Sequence, residues 1–143
     1  MHGYIERALQ RFAHPKPRRP EDAPHAWIAP AYGKHVQYAP EPDASAFLDL
    51  NDKNLVQQII GVILFYARAV DDTFLVALSE LATAPTEATM KAITRLLNYA
   101  ATHPDASILF RASDMILYVD SDASYLSVSK ARSRVAGYFY LGH

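Results

Sequence analysis

Two aspartates, Asp120 and Asp122, lie two positions apart in the stretch YVDSDASYLS, directly after an apolar run. If a strand continues through them, their side chains point to the same face, because side chains alternate along a strand. Two carboxylates on one face repel each other unless a cation lies between them, and Mg²⁺ prefers oxygen ligands of this kind. The alternative is a solvated turn, since aspartate, serine and small residues are common in turns. Spacing alone leaves both interpretations open.

Composition excludes several other kinds of site. The chain of 143 residues has a formal net charge of −1 and no cysteine, which excludes disulfides, thiolate zinc sites and a generally basic nucleic-acid binder. The most apolar run, IIGVILFYA, is well short of the about 20 residues that span a bilayer. The charged N-terminal sequence MHGYIERALQRF does not resemble a secretory signal. We therefore expect a soluble, cytoplasmic protein with no membrane partner.

The elements that position these aspartates begin with helices. Helical spacing of apolar residues predicts a short amphipathic helix over residues 4–12 and a centrally buried, nearly all-apolar helix over 52–70. A further helix follows Asp71, and the clearest one starts near Pro85 and ends before Pro104. Seven of the nine prolines lie between Pro15 and Pro42, so residues 13–50 are predicted to be an extended connector, either a linker or a strap across a larger body.

After Pro104 the apolar period changes from about 3.6 to 2, which indicates strands. SILFRA and MILYVDS, separated by Ser113 and Asp114, predict an antiparallel hairpin, and RVAGYFYLG predicts a third strand. The predicted fold is α+β: residues 1–50 are a short helix and proline-rich connector, 51–104 a helical connection region, and 105–143 a partial three-stranded antiparallel sheet. Such a small sheet needs packing from elsewhere, which predicts a partner chain or self-association that covers it.

Several of these segments, taken in order, resemble one family. LLNYAATHP, SDAS, KARSR and SRVAGYFYLG are similar to the junction between reverse transcriptase and ribonuclease H in copia-type LTR retrotransposon polyproteins. Upstream, GYIERALQRF, QQIIGVILFYARAV and DDTFLVALSELA resemble the segments that follow the polymerase palm in that family. The resemblance covers most of the chain and is weakest in the proline-rich connector.

The resemblance implies a function for a larger parent protein. The parent would be an RNA-directed DNA polymerase with ribonuclease H activity, and Asp122 matches the first metal-binding carboxylate of the ribonuclease H fold, so it would bind Mg²⁺. Lys130, Arg132 and Arg134 would contact the backbone of an RNA–DNA hybrid. Asp120 matches no ligand of the family. Because the remaining carboxylates of the family lie beyond the segments seen here, we expect this chain to be inactive alone.

Two further motifs have simpler explanations beside the functional ones. AVDD at residues 69–72 imitates the Y-x-D-D pattern of a polymerase palm, but it lies between two helices, so Asp71 and Asp72 are interpreted as helix-capping residues. HPKPRRP, residues 14–20, is either a solvated linker or a contact for nucleic-acid phosphates.

Alternatives from other classes remain open. The chain could be a small nucleic-acid-binding module that lacks the chemistry, or a degenerate remnant without catalysis. A third interpretation is a protein–protein adaptor that uses the exposed face of the small sheet.

Overall fold

The structure, a computed structural model, describes residues 1–26, 43–83, 85–128 and 132–142. These residues form two compact units, which we call the helical unit (described residues 1–26, 45–83 and 85–108) and the hairpin unit (described residues 43–44, 109–128 and 132–142). The described elements are four α-helices, one short 3-10 helix and one antiparallel pair of strands, so the predicted α+β class is confirmed. No helix in the described ranges is both long and apolar enough to cross a bilayer.

The first helix, α1 (Tyr4–Arg11), confirms the helix predicted over residues 4–12. It starts at Gly3, whose positive φ of 67° is readily adopted by glycine. Ile5 and Ala8 are buried, and the Tyr4 hydroxyl donates a hydrogen bond to the carbonyl oxygen of Val62 (3.0 Å). These tertiary contacts hold the helix, since a helix of 8 residues is too short to be stable in isolation.

The second helix, α2 (Leu50–Ala67), begins at Asp49, whose carboxylate accepts a hydrogen bond from the backbone N–H of Asp52 (2.8 Å). The prediction that this helix is buried on most sides is wrong. Only one face is buried, and side chains on its other sides, such as Phe65 (59% exposed) and Leu64 (36%), remain accessible. The reason is that the other helices pack against a single face of α2, which its apolar composition does not reveal.

A tight turn and two shorter elements follow α2. The 3-10 helix Asp72–Phe74 runs directly into α3 (Leu75–Leu81). Asp71 caps the start, as predicted: its carboxylate accepts hydrogen bonds from the backbone N–H of Thr73 (3.1 Å) and from the Thr73 hydroxyl (2.7 Å). Asp72 is instead the first residue of the 3-10 helix.

The last helix, α4 (Glu87–Thr102), confirms the clearest helix prediction. Thr86 and Thr89 form a capping box at its start, in which each side chain bonds the backbone N–H of the other (3.4 Å). The core of the helical unit draws side chains from every helix; its largest fully buried members are Phe74, Ile5, Ile63, Leu96 and Val56.

The proline-rich connector is partly described. Residues 14–26 contain no helix or strand and lie along α4 in a segment that we call the strap. Residues 27–42 lie outside the described residues. Further on, the backbone N–H of Leu48 donates to the carbonyl oxygen of Pro85, and that of Glu87 donates to Ala46 (3.0 Å each). The described part of the connector is therefore a strap against the helices rather than a free linker.

The hairpin unit contains β1 (Ile116–Val128) and β2 (Arg132–Gly142), which pair in an antiparallel register from Ile116 opposite Gly142 to Val128 opposite Arg132. The register is regular as far as Ser124 opposite Arg134 and irregular between Ser124 and Val128. Tyr118 and Tyr140, which are directly opposite each other, stack with ring centroids 5.4 Å apart.

The prediction of three strands is wrong at its first strand. Residues 107–112 (SILFRA) are not in a strand, and the backbone N–H of Ile108 instead donates to the carbonyl oxygen of Val70 in the helical unit (2.7 Å). The proposed Ser113–Asp114 turn lacks the asparagine or glycine that a two-residue hairpin turn favours. The second predicted strand instead continues to Val128 and pairs with the third.

Candidate metal-binding and nucleic-acid-binding site

Asp122 lies in the middle of β1 rather than at its end. The predicted strand MILYVDS ends at Ser121, but the ladder with β2 continues through Asp122 opposite Ala136 and Ser124 opposite Arg134. The Asp122 side chain is exposed, and one of its oxygens accepts a hydrogen bond from the backbone N–H of Ala123 (2.8 Å).

The register places two predicted site residues, Asp122 and Arg134, on one side of the hairpin together with Asp120. Asp120 and Asp122 share a face because residues two apart on a strand do so, and Arg134 joins them because it is directly opposite Ser124. Arg134 is one diagonal step from Asp122, a separation of about 7–8 Å that a long side chain bridges. We call this side of the hairpin the polar face. The turn interpretation of DSDAS is wrong, because these residues continue the strand.

Tyrosines extend the polar face towards the end of β2. Tyr138 lies opposite Asp120, and its ring centroid is 5.2 Å from that of Tyr140. Tyr118 stacks on Tyr140 from the other strand. The regular register places Tyr138 and Tyr140 on this face and Phe139 on the other. A row of ring surfaces therefore runs beside the carboxylates.

The opposite face of the hairpin is apolar. Its aliphatic and aromatic side chains are between 48% and 81% exposed, and they are Leu117, Val119, Val135, Phe139 and Leu141. The Phe139 ring lies over Gly137, where an added Cβ would meet a ring carbon at 2.8 Å. The two faces of the hairpin thus differ sharply, and the polar one carries the residues with candidate chemistry.

The polar face carries two carboxylates, which are oxygen donors of the kind that Mg²⁺ prefers. Mg²⁺ is commonly held by one or two carboxylates together with waters and substrate phosphates. Asp122 and Asp120 provide two carboxylates on one face, but the described residues contain no group of three or more candidate ligands. The donor set therefore fits an ion that gains further oxygen ligands from a phosphate or from another segment.

The structure leaves two of the predicted cations undescribed. Lys130 lies outside the described residues, as does the side chain of Arg132, whose backbone belongs to β2. Arg134 is half-buried. Of the predicted basic segment, Arg134 alone is placed on the polar face.

A buried polar cluster in the helical unit was only partly predicted. Asp71 is 3% exposed, and while one of its oxygens bonds Thr73, the other has no hydrogen-bond partner among the described residues. The Thr73 hydroxyl also bonds the Tyr99 hydroxyl (2.9 Å). The Tyr66 hydroxyl donates to the carbonyl oxygen of Ala106 (2.9 Å), and its pKa is raised above its ordinary value by burial and then by the negative charge of Asp71. The cap was evident from sequence, but the Tyr99 contact lies 26 residues away and gave no local signal.

Comparison with known proteins adds no relative. No family model, curated protein or solved structure matches this chain.

Proposed function

We propose that the chain is a segment of a copia-type LTR retrotransposon polyprotein, spanning the connection after the reverse transcriptase palm and the first strands of ribonuclease H. The intact parent would synthesise DNA on an RNA template and cut the RNA strand of an RNA–DNA hybrid. The observation that carries the proposal is the hairpin register, which places Asp122 of SDAS and Arg134 of SRVAGYFYLG on one face. The order of elements, helices first and antiparallel strands after, agrees with it.

The proposed role of the polar face is to hold Mg²⁺ against a hybrid backbone. Two bound Mg²⁺ ions supply an activated water and stabilise the leaving oxygen in phosphodiester hydrolysis. Asp122 would be the ligand contributed by this chain, and Arg134 would contact the phosphates beside it. Further carboxylates would have to come from other segments of the parent, so we propose that the chain alone does not cleave a hybrid.

A second candidate is a nucleic-acid-binding module without catalysis. The row of tyrosines on the same face as Arg134 favours it, since aromatic rings and cations together bind single strands without needing a metal. The two candidates differ in the nucleic acid they prefer. The parent enzyme interpretation predicts a preference for an RNA–DNA hybrid, and the module interpretation predicts equal or tighter binding of single strands.

Binding of a labelled RNA–DNA hybrid, followed by fluorescence anisotropy at several salt concentrations, tests the hairpin. Each phosphate contact adds roughly 0.7–0.9 to the slope of log K against log salt. We expect the triple variant Lys130→Gln, Arg132→Gln and Arg134→Gln to make that slope shallower by about 2, because three phosphate contacts are lost.

A matched control removes the same charge elsewhere. Lys53, Arg68 and Lys91 are exposed on or next to the helices, and changing all three to glutamine lowers the net charge equally. The hairpin proposal requires a larger slope change for the hairpin variant than for this control. Equal slopes in the two variants would count against it.

A further inference from the structure

The strap is fixed to α4 at two places. Before its basic residues, the His14 ring nitrogen Nε2 forms a hydrogen bond with the Asn98 side-chain oxygen (2.8 Å). After them, the backbone N–H of Glu21 donates to the Thr102 hydroxyl (3.1 Å), and the Glu21 carboxylate pairs with Arg95 (2.7 Å). These contacts use three polar side chains of α4 that are half-buried: Arg95, Asn98 and Thr102.

The two attachment points are close together, so the chain between them must form a loop. Asn98 is about one helical turn from both Arg95 and Thr102, a rise of about 4.5–6 Å along α4. The seven residue steps from His14 to Glu21 span about 24 Å when extended. Residues 15–20 therefore leave the helix and return, and the backbone bends at Arg18 and Arg19. We call residues 15–20 the cationic loop.

The cationic loop carries three positive charges. Lys16, Arg18 and Arg19 are exposed, and none has an ion pair among the described residues. The neighbouring acids are engaged elsewhere: Glu21 pairs with Arg95, and Asp22 contacts the ring of His103 (3.2 Å). The acidic side chains nearest in sequence, Glu21 and Asp22, are therefore paired with residues of α4 or its C-terminal cap and not with the three cations of the loop.

The loop is also stiff. Three prolines, Pro15, Pro17 and Pro20, alternate with the cations and restrict the backbone. A restrained loop loses less conformational entropy when it binds. Apart from the prolines, the loop has no apolar side chain to anchor a peptide, whereas arginine matches phosphate oxygens with paired hydrogen bonds.

We propose that the cationic loop binds the sugar-phosphate backbone of nucleic acid. The inference goes beyond the proposed function of the hairpin, because it assigns a separate contact surface to the helical unit. It needs neither a metal nor Asp122. Contacts to phosphates carry no sequence information, so binding here is independent of sequence.

The test uses the full chain and a fluorescently labelled single-stranded oligonucleotide, with affinity measured across salt. We expect the triple variant Lys16→Gln, Arg18→Gln and Arg19→Gln to bind more weakly and to make the slope of log K against log salt shallower by about 2. The charge-matched triple variant at Lys53, Arg68 and Lys91 should keep the wild-type slope within experimental error. All six positions are exposed, so folding is not expected to change.

A second variant disturbs the position of the cationic loop while keeping its charge. Asn98→Ala removes the side-chain anchor of His14 without changing any charge, so we expect weaker binding with an unchanged slope.

Polyglutamate, at the same concentration of charge as the oligonucleotide, serves as a competitor. A slope unaffected by the loop variant, or no binding by the wild-type chain at low salt, would overturn the proposal; so would equal displacement by polyglutamate, which would point to an acidic protein partner.

The outcomes also distinguish this inference from the hairpin proposal. If the loop variant loses binding and the variant at Lys130, Arg132 and Arg134 does not, the hairpin proposal fails while the loop stands. If instead the hairpin variant loses binding and the loop variant does not, the loop proposal fails and the hairpin proposal stands.

Discussion

Replacing Phe74 with alanine is expected to lower the free energy of unfolding of the helical unit by about 3–5 kcal/mol. The Phe74 side chain is 0% exposed, and its ring meets those of Tyr66 and Tyr99 edge-on, with centroids 6.3 and 5.1 Å away. Alanine would leave a cavity between α2 and α4, because the helices around Phe74 cannot all shift to fill it. Since small domains are stable by only about 5–15 kcal/mol, a loss of this size should be obvious in urea unfolding.

A matched control for Phe74→Ala is Phe47→Ala. Phe47 is 79% exposed, and its isolated bridge to Thr86 involves the backbone alone, which alanine retains. We expect Phe47→Ala to change the free energy of unfolding by no more than about 0.5 kcal/mol. Similar losses for the two variants would contradict the packing described for the helical unit.

Ile5→Ala is expected to lower the same free energy by about 2–5 kcal/mol. Ile5 is 0% exposed and is the largest side chain that α1 buries. Because α1 is too short to persist alone, loss of this contact should also release the helix. Hydrogen exchange followed by NMR should therefore show faster exchange at the amides of α1 than at those of α4.

The control for Ile5→Ala lies on the exposed side of the same helix. Gln10→Ala keeps the contacts of Ile5 and replaces glutamine with a slightly better helix former, so we expect little or no loss of stability. If Ile5→Ala left α1 as protected as Gln10→Ala does, the docking of α1 through Ile5 would be wrong.

Local signals allowed much of the helical unit to be predicted. The bounds of α4 follow from Pro85, Pro104 and an apolar stripe between them, and the cap at Asp71 depends on a residue only two positions away. The burial of α2 could not be predicted in the same way. Its composition is apolar around the helix, and only the positions of the other helices decide that Phe65 stays exposed.

Contacts between residues far apart in the sequence account for the other differences between the predicted and the observed structure. The strap bonds α4 through pairs separated by 84 residues (His14 and Asn98) and 81 residues (Glu21 and Thr102), for which the sequence has no local pattern. In the hairpin, assigning a turn to Ser113 and Asp114 gave the wrong first strand. The shared face of Asp120 and Asp122 was nevertheless predictable, because strand alternation does not depend on the partner.

Paramagnetic broadening by Mn²⁺ tests the proposed metal position at Asp122 most directly. Mn²⁺ takes the same oxygen ligands as Mg²⁺ and broadens NMR signals of nearby amides, so a substoichiometric amount added to isotope-labelled chain locates the ion. We predict broadening centred on Asp122 and its cross-strand neighbour Ala136, retained in Asp120→Asn and lost in Asp122→Asn. Broadening that persists in Asp122→Asn, or that disappears only in Asp120→Asn, would contradict the assignment of Asp122 as the metal ligand of this hairpin.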